Sequence, residues 1–210
     1  MLTSITKRSG KTVPFVELKL RKAIEYYCNG IELIDSNLIY KETVRNLYDN
    51  VSTREIQDTI IIATRPFIEQ EPNYNFVCAR VLLRNIFKEV CTFLNLKNSD
   101  INSKDFYLEY FYKYFQVAIE DNRINENIIN NIEIEKIIEA IKPERDYLFS
   151  YLSLQTLYDR YFLHKDEQRY ELPQMLFMRV ALGLSLSEEN PTEKAIEFYN
   201  ILSQMDYMSS

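Results

Sequence analysis

Residues 4–15 read Ser4-Ile5-Thr6-Lys7-Arg8-Ser9-Gly10-Lys11-Thr12-Val13-Pro14-Phe15. Two short β-prone runs flank Ser9-Gly10, and a glycine there supplies the positive φ of a tight hairpin turn. Pro14 has no backbone N–H, so it belongs on a sheet edge or at the end of its strand. Downstream, Leu18, Leu20, Ala23, Ile24 and Tyr27 form a helical stripe over Glu17–Cys28, stopped by Asn29-Gly30. A second helix is predicted over Ser36–Leu47, and Tyr48–Val51 is short enough to add a third strand to the hairpin. Ser52-Thr53-Arg54-Glu55 is a capping box, a hydroxyl at the cap and a carboxylate three residues on. It opens an apolar helix to Ile68, in which Pro66 should kink or end the regular hydrogen bonding. Tyr74–Leu94 is a long helix with Phe76, Val77, Ala79, Val81, Leu82, Ile86, Phe87, Val90 and Cys91 facing inward. Residues 1–92 therefore read as one compact unit, four helices under a small β-cap.

The polar stretch Asn95–Ser103 is the best internal boundary, leaving residues 93–210 as a second, helical domain. Helices are predicted there near Phe106–Glu120, Asn125–Ala140 and Tyr147–Tyr161. Isoleucines recur through the asparagine-rich stretch Asn122–Asn131, which reads as a helix with a polar face. Phe106, Tyr107, Tyr110, Phe111, Tyr112, Tyr114 and Phe115 could stack on bases, but helical spacing among acidic neighbours favours a core or interface role. Phe162–Leu172 reads as a polar hairpin or loop. Asn190-Pro191-Thr192-Glu193 starts a last helix to about Met205, with Asn as cap and Pro at the first helical position.

Composition narrows the chemistry. The 210 residues carry a net charge of −6, with 3 Gly and 6 Pro, too few turn-formers for a chain of many short strands. The expected class is mainly α. A mildly acidic chain is a poor general binder of nucleic acid, which needs a positive field. Met1–Gly10 is polar and basic, unlike a signal peptide, and no apolar run reaches the length of a membrane span. The single histidine, His164, lies in the polar run Leu163–Glu167 without a ligand at helical spacing, and reads as an exposed loop residue. Cys28, Cys78 and Cys91 have no C-x-x-C spacing, so they read as free buried thiols of a reducing, cytoplasmic compartment. No Walker A loop, G-x-S-x-G, G-x-G-x-x-G or H-E-x-x-H occurs. Read alone, the chain does not look like a complete enzyme.

Thr6-Lys7-Arg8-Ser9-Gly10-Lys11 followed by Val16-Glu17-Leu18-Lys19-Leu20 resembles the start of an ATP-cone, in which a Lys-Arg-x-Gly hairpin caps a four-helix bundle. The similarity continues through Val51–Ile60 and Pro72–Arg80. Beyond it, Arg145–Tyr151, Tyr161-Phe162-Leu163, Glu171–Ala181 and the last helix resemble the N-terminal helical domain of the large subunit of class I ribonucleotide reductase. The resemblance implies an ATP-cone over residues 1–92 followed by that α-helical domain over 93–210. It implies a site for ATP or dATP as allosteric effector, formed by Lys7, Arg8, Lys19, Thr53, Gln57 and Lys88. Lys7, Arg8, Lys19 and Lys88 match cationic positions around the phosphates, and Thr53 matches a hydroxyl at a helix start. Two positions depart from the family: Val13 stands where a glutamate is common, and Gln57 where a histidine is common.

The family's chemistry uses a radical-bearing cysteine and a reducible cysteine pair in a barrel, and none of those motifs is present in these 210 residues. No metal is expected in this chain. The resemblance implies two partners, a separate chain carrying the catalytic barrel and a radical-generating small subunit. It implies no nucleic-acid or membrane partner. The expected role is therefore the regulatory and scaffolding part of a split reductase that converts ribonucleotides to deoxyribonucleotides. The aromatic-rich helices near 106–115 and 174–207 are candidates for its interface. Other readings stay open: a stand-alone nucleotide-sensing module, a relict cone kept for packing or assembly, or a truncated chain.

Overall fold

The computed structural model describes residues 3–7, 10–97 and 103–205. They fall into two compact units, one built from residues up to 85 with 149–155, the other from 86–148 with the residues from 156 on.

In the first unit, β1 (Ser4–Thr6) pairs antiparallel with β2 (Thr12–Pro14), Ile5 opposite Val13. Gly10 takes φ 77° in the connecting turn, as expected of a hairpin glycine; Arg8 and Ser9 lie outside the described residues. β3 (Val51–Ser52) runs parallel to β1 on its other side, giving the order β2-β1-β3. Pro14 thus ends an edge strand, where its missing N–H leaves no ladder bond unmade. The Asp49 carboxylate accepts from the backbone N–H groups of Thr3 and Ser4 at 2.8 and 2.9 Å, fixing the start of β1.

Beneath the sheet lie α1 (Glu17–Cys28), α2 (Ser36–Asn46) and α3 (Thr53–Thr64), with the first part of α4 (Tyr74–Phe93). α3 passes at Pro66 into a 3-10 turn, Arg65–Glu69, since proline cannot donate to the α-helical ladder. Leu20, Ile24, Ile39, Ile60, Ile61, Val77, Cys78 and Val81 are buried. Arg80 caps the end of α1 through Nη1, which donates to the carbonyls of Tyr27 and Asn29 at 3.1 and 2.6 Å. Residues 149–155 complete the unit: the Tyr151 N–H donates to Asn75 Oδ1 at 2.9 Å, and the Arg65 guanidinium lies over the Tyr151 ring.

The second unit contains α5 (Lys104–Glu120), α6 (Asn127–Asn130), α7 (Ile134–Ala140), a 3-10 turn (Pro143–Leu148), the end of α8 (Tyr151–Arg160), the hairpin β4–β5 (His164–Lys165, Gln168–Arg169), α9 (Pro173–Ser185) and α10 (Pro191–Ser203). Of the α5 aromatics, Phe106, Tyr107, Tyr110, Phe111, Tyr114 and Phe115 are buried and only Tyr112 is exposed. They are core, not a free face. Two of the hydroxyls enter an interior network: Tyr114 Oη donates to Glu171 Oε1 at 2.5 Å and Tyr110 Oη to the Tyr170 carbonyl at 3.2 Å. Glu171, fully buried, also pairs with Arg179 at 2.7 Å.

Several expectations fail locally. Asn122–Asn131 is not one helix with a polar face, and Asn125–Ala140 is not continuous. α5 stops at Asp121, Asn122 takes φ 54°, and α6 spans four residues before the chain breaks again ahead of α7. Asparagine side chains compete with the backbone: Asn125 Oδ1 accepts from the Asn127 N–H at 2.9 Å. The Tyr147–Tyr161 helix is a 3-10 turn over Pro143–Leu148 and then α8. His164 is exposed as expected, but in a short strand: Asp166 and Glu167, both at positive φ, make the tight turn that returns the chain. Cys78 and Cys91 are buried and in no disulfide, whereas Cys28 is only half-buried.

Candidate functional site

The sheet register brings two of the expected site residues together. Thr6 pairs with Ser52 in the parallel β1–β3 ladder. One residue beyond this last pair the chain reaches Lys7 on one side and Thr53, the first residue of α3, on the other. Lys7 is exposed at the start of the hairpin turn, its backbone tied by Lys7 N–H to Lys11 O and Gly10 N–H to Lys7 O, both 2.9 Å. Thr53 is half-buried. A lysine thus stands at the carboxyl ends of parallel strands, beside the N-terminus of a helix whose first N–H groups have no intrahelical acceptor. That is an anion-binding geometry.

The helix start is also firmly built. The Ser52 hydroxyl accepts from the Glu55 N–H at 3.1 Å, and Glu55 Oε2 accepts from the Ser52 N–H at 2.9 Å. The Tyr48 hydroxyl on Glu55, followed by the Ser52 side-chain and backbone bonds, holds the Glu55 carboxyl down to about 2. This carboxylate contributes a negative charge of its own to the helix start.

Gln57 lies one turn further along α3, on the face of Thr53. It is buried, with Nε2 donating to Tyr27 Oη at 3.1 Å, while Oε1 has no partner among the described residues. Sequence reading missed Tyr27 as part of this arrangement, taking it only as a member of the α1 apolar stripe. Its hydroxyl was the available signal, because a buried tyrosine O–H needs a partner.

The remaining candidates lie on other elements. Lys19 is exposed in the first half of α1. Lys88 is half-buried on α4 and belongs to the second unit. Arg8 lies outside the described residues, and Val13 faces Ile5 across the hairpin. Burial pushes the Cys28 thiol up to about 11 and the Cys78 thiol up to about 12, so neither is a ready thiolate. Among the described residues, no group of three His, Cys, Asp or Glu could hold a metal ion, and no helix is long and apolar enough to cross a membrane.

A model of the ATP cone domain matches residues 3–89, and one of the ribonucleotide reductase all-alpha domain matches residues 147–210. The ribonucleoside-diphosphate reductase subunit alpha of Chlamydia muridarum is 34% identical over 97% of the chain and 19% of its own length. The subunit of the same name from Helicobacter pylori is 31% identical over 99% of the chain and 25% of its own. The large subunit of Monkeypox virus is 26% identical over 95% and 25%. The chain thus spans about a fifth to a quarter of the length of these relatives.

Proposed function

By its two matched domains the chain belongs to the N-terminal region of ribonucleotide reductase large subunits, and from that premise we propose that its cone binds ATP or dATP as an allosteric effector of ribonucleotide reduction. The observation that carries this is the β1–β3 register, which sets Lys7 beside Thr53 and the start of α3. The phosphates lie against Lys7 and the α3 N-terminus, with Lys19 as a further cation and Gln57 toward the nucleoside. Reduction itself is done by a barrel and a radical-generating small subunit outside these 210 residues. In this reading the present residues are regulatory and scaffolding.

Isothermal titration of ATP and dATP into the chain tests the reading. Wild type should bind at least one of them. Lys7→Ala should weaken binding about 10- to 100-fold, as loss of a charge-assisted bond of about 1.5–3 kcal/mol implies. Absence of binding by the folded wild type would overturn it. Mixing the chain with a barrel-bearing chain and a small subunit tests the scaffolding part: reductase activity that depends on the added chain supports a separate barrel partner.

One observation favours a second reading, a cone kept for packing alone. The Glu55 carboxylate sits at the same helix start that would receive phosphate, and its charge opposes an anion there. Under that reading Lys7→Ala changes nothing and Ser52→Ala affects only stability.

A further inference from the structure

β1 and β3 are too short to set their own register. β1 has three residues and β3 two, and only two pairs join them, Ile5 with Val51 and Thr6 with Ser52. A one-residue slip in so short a ladder would lose little pairing, yet it would turn the side chains of the strand to the other face. The corner just before β3 is what fixes the register. Asp49 Oδ1 accepts from the backbone N–H groups of Thr3 and Ser4 at 2.8 and 2.9 Å, and from the Thr3 hydroxyl at 2.8 Å. Asn50, at φ 62°, turns the chain so that its N–H donates to the Ser4 carbonyl at 3.0 Å while its own carbonyl accepts from Thr6 Oγ1 at 3.1 Å. Led by the Thr3 backbone bond, the contacts of Asp49 hold its carboxyl well below the usual carboxylate range. The bonds from Thr3 and Ser4 all end on Oδ1, whereas Oδ2 meets Asn50 Nδ2 at 3.4 Å. The grip therefore needs one acceptor oxygen at a fixed place more than it needs a charge.

We propose that Asp49 is a positioning residue of the nucleotide site: by gripping Thr3 and Ser4 it fixes the β1–β3 register that brings Lys7 to the start of α3. This rests on the nucleotide reading above. Asp49 touches no ligand; it acts through the strand that leads into Lys7.

The test is calorimetry with ATP and dATP on the full chain, at a temperature where each variant is folded. Position and charge predict opposite signs. Removing a carboxylate from the cone favours a polyanion through space, so an effect of charge alone makes Asp49→Ala and Asp49→Asn both bind tighter. Positioning reverses the sign for alanine: Asp49→Ala should weaken binding about five- to tenfold, a part of what the Lys7 charge supplies. Asp49→Asn, which keeps the acceptor, should bind at least as tightly as wild type. Asp49→Glu keeps the charge but moves the acceptor by one methylene; it should weaken binding about as alanine does, and serves if Asp49→Ala fails to fold. In a Lys7→Ala background, Asp49→Ala should have no further effect, whereas a general packing defect would add to the loss. If wild type binds neither nucleotide, the nucleotide reading fails and this role with it. The role of Asp49 is overturned, while the nucleotide reading stands, by any of three results: Asp49→Ala and Asp49→Glu binding as tightly as wild type, Asp49→Asn as weak as Asp49→Ala, or losses at positions 7 and 49 that simply add.

Discussion

Asp146 is the residue at which chemistry and stability meet most directly. Its Oδ1 accepts from Gln174 Nε2 at 2.6 Å, its Oδ2 has no partner among the described residues, and only 3% of the residue is exposed. Burial pushes its carboxyl from 3.8 up to about 7, against the lowering effect of Gln174. The folded chain therefore holds a proton that the unfolded chain releases near pH 4. The resulting stabilisation is complete below pH 4 and is lost as pH rises through about 7. Asp146→Asn should flatten the fall in melting temperature between about pH 4 and 7, and at pH 8 should stabilise by on the order of 4 kcal/mol. An unchanged pH profile would remove Asp146 from this role. Arg179→Ala should act in the other direction. It strips the cation from the buried Glu171 carboxylate, and truncating one partner of such a pair costs about 3–5 kcal/mol in denaturant unfolding. None of this was legible in the sequence: an Asp in Pro143–Leu148 is indistinguishable from a solvated one until α9 closes over it.

At the scale of elements, the capping box has two consequences. Ser52→Ala removes the hydroxyl that accepts from Glu55 N–H and should cost about 1 kcal/mol by thermal or denaturant unfolding. It should also weaken nucleotide binding, because Ser52 pairs with Thr6 and so sets Lys7 against Thr53. The box, the Pro66 stop and the Asn190-Pro191 start could be read from sequence because each is a local backbone requirement met by one side chain. The asparagine-rich stretch misled for a related reason. Its isoleucines have helical spacing, but its asparagines offer the backbone competing bonds. α9 was never resolved as a separate helix, although Pro173 at its first position was a usable signal. Within α5, Phe111→Ala should cost about 3–5 kcal/mol, since the ring is fully buried among other aromatics.

For the whole molecule, the division of residues does not follow chain order. The first unit includes 149–155, with the Tyr151 N–H on Asn75 and the Arg65 guanidinium over the Tyr151 ring. A fragment ending at residue 97 should therefore melt below the first unit of the full chain, as read by amide exchange in α1–α3. Equal protection in fragment and full chain would show that residues 149–155 add nothing. No local pattern in the sequence announces this. A polar stretch marks where a chain can leave one core, but not where a later segment returns to it.

The sequence by itself determined the class, the hairpin with its edge proline, the capped helix starts and the family, because these depend on backbone conformations and patterns satisfied within a few residues. Only the tertiary structure decided which charged and polar groups meet. The register pairs Thr6 with Ser52, the residues before Lys7 and Thr53, and the fold alone bonds Gln57 to Tyr27. It likewise shuts Asp146 away from water beside Gln174. Electrostatic and hydrogen-bonding energies depend on distance and desolvation, and separation along the chain sets neither.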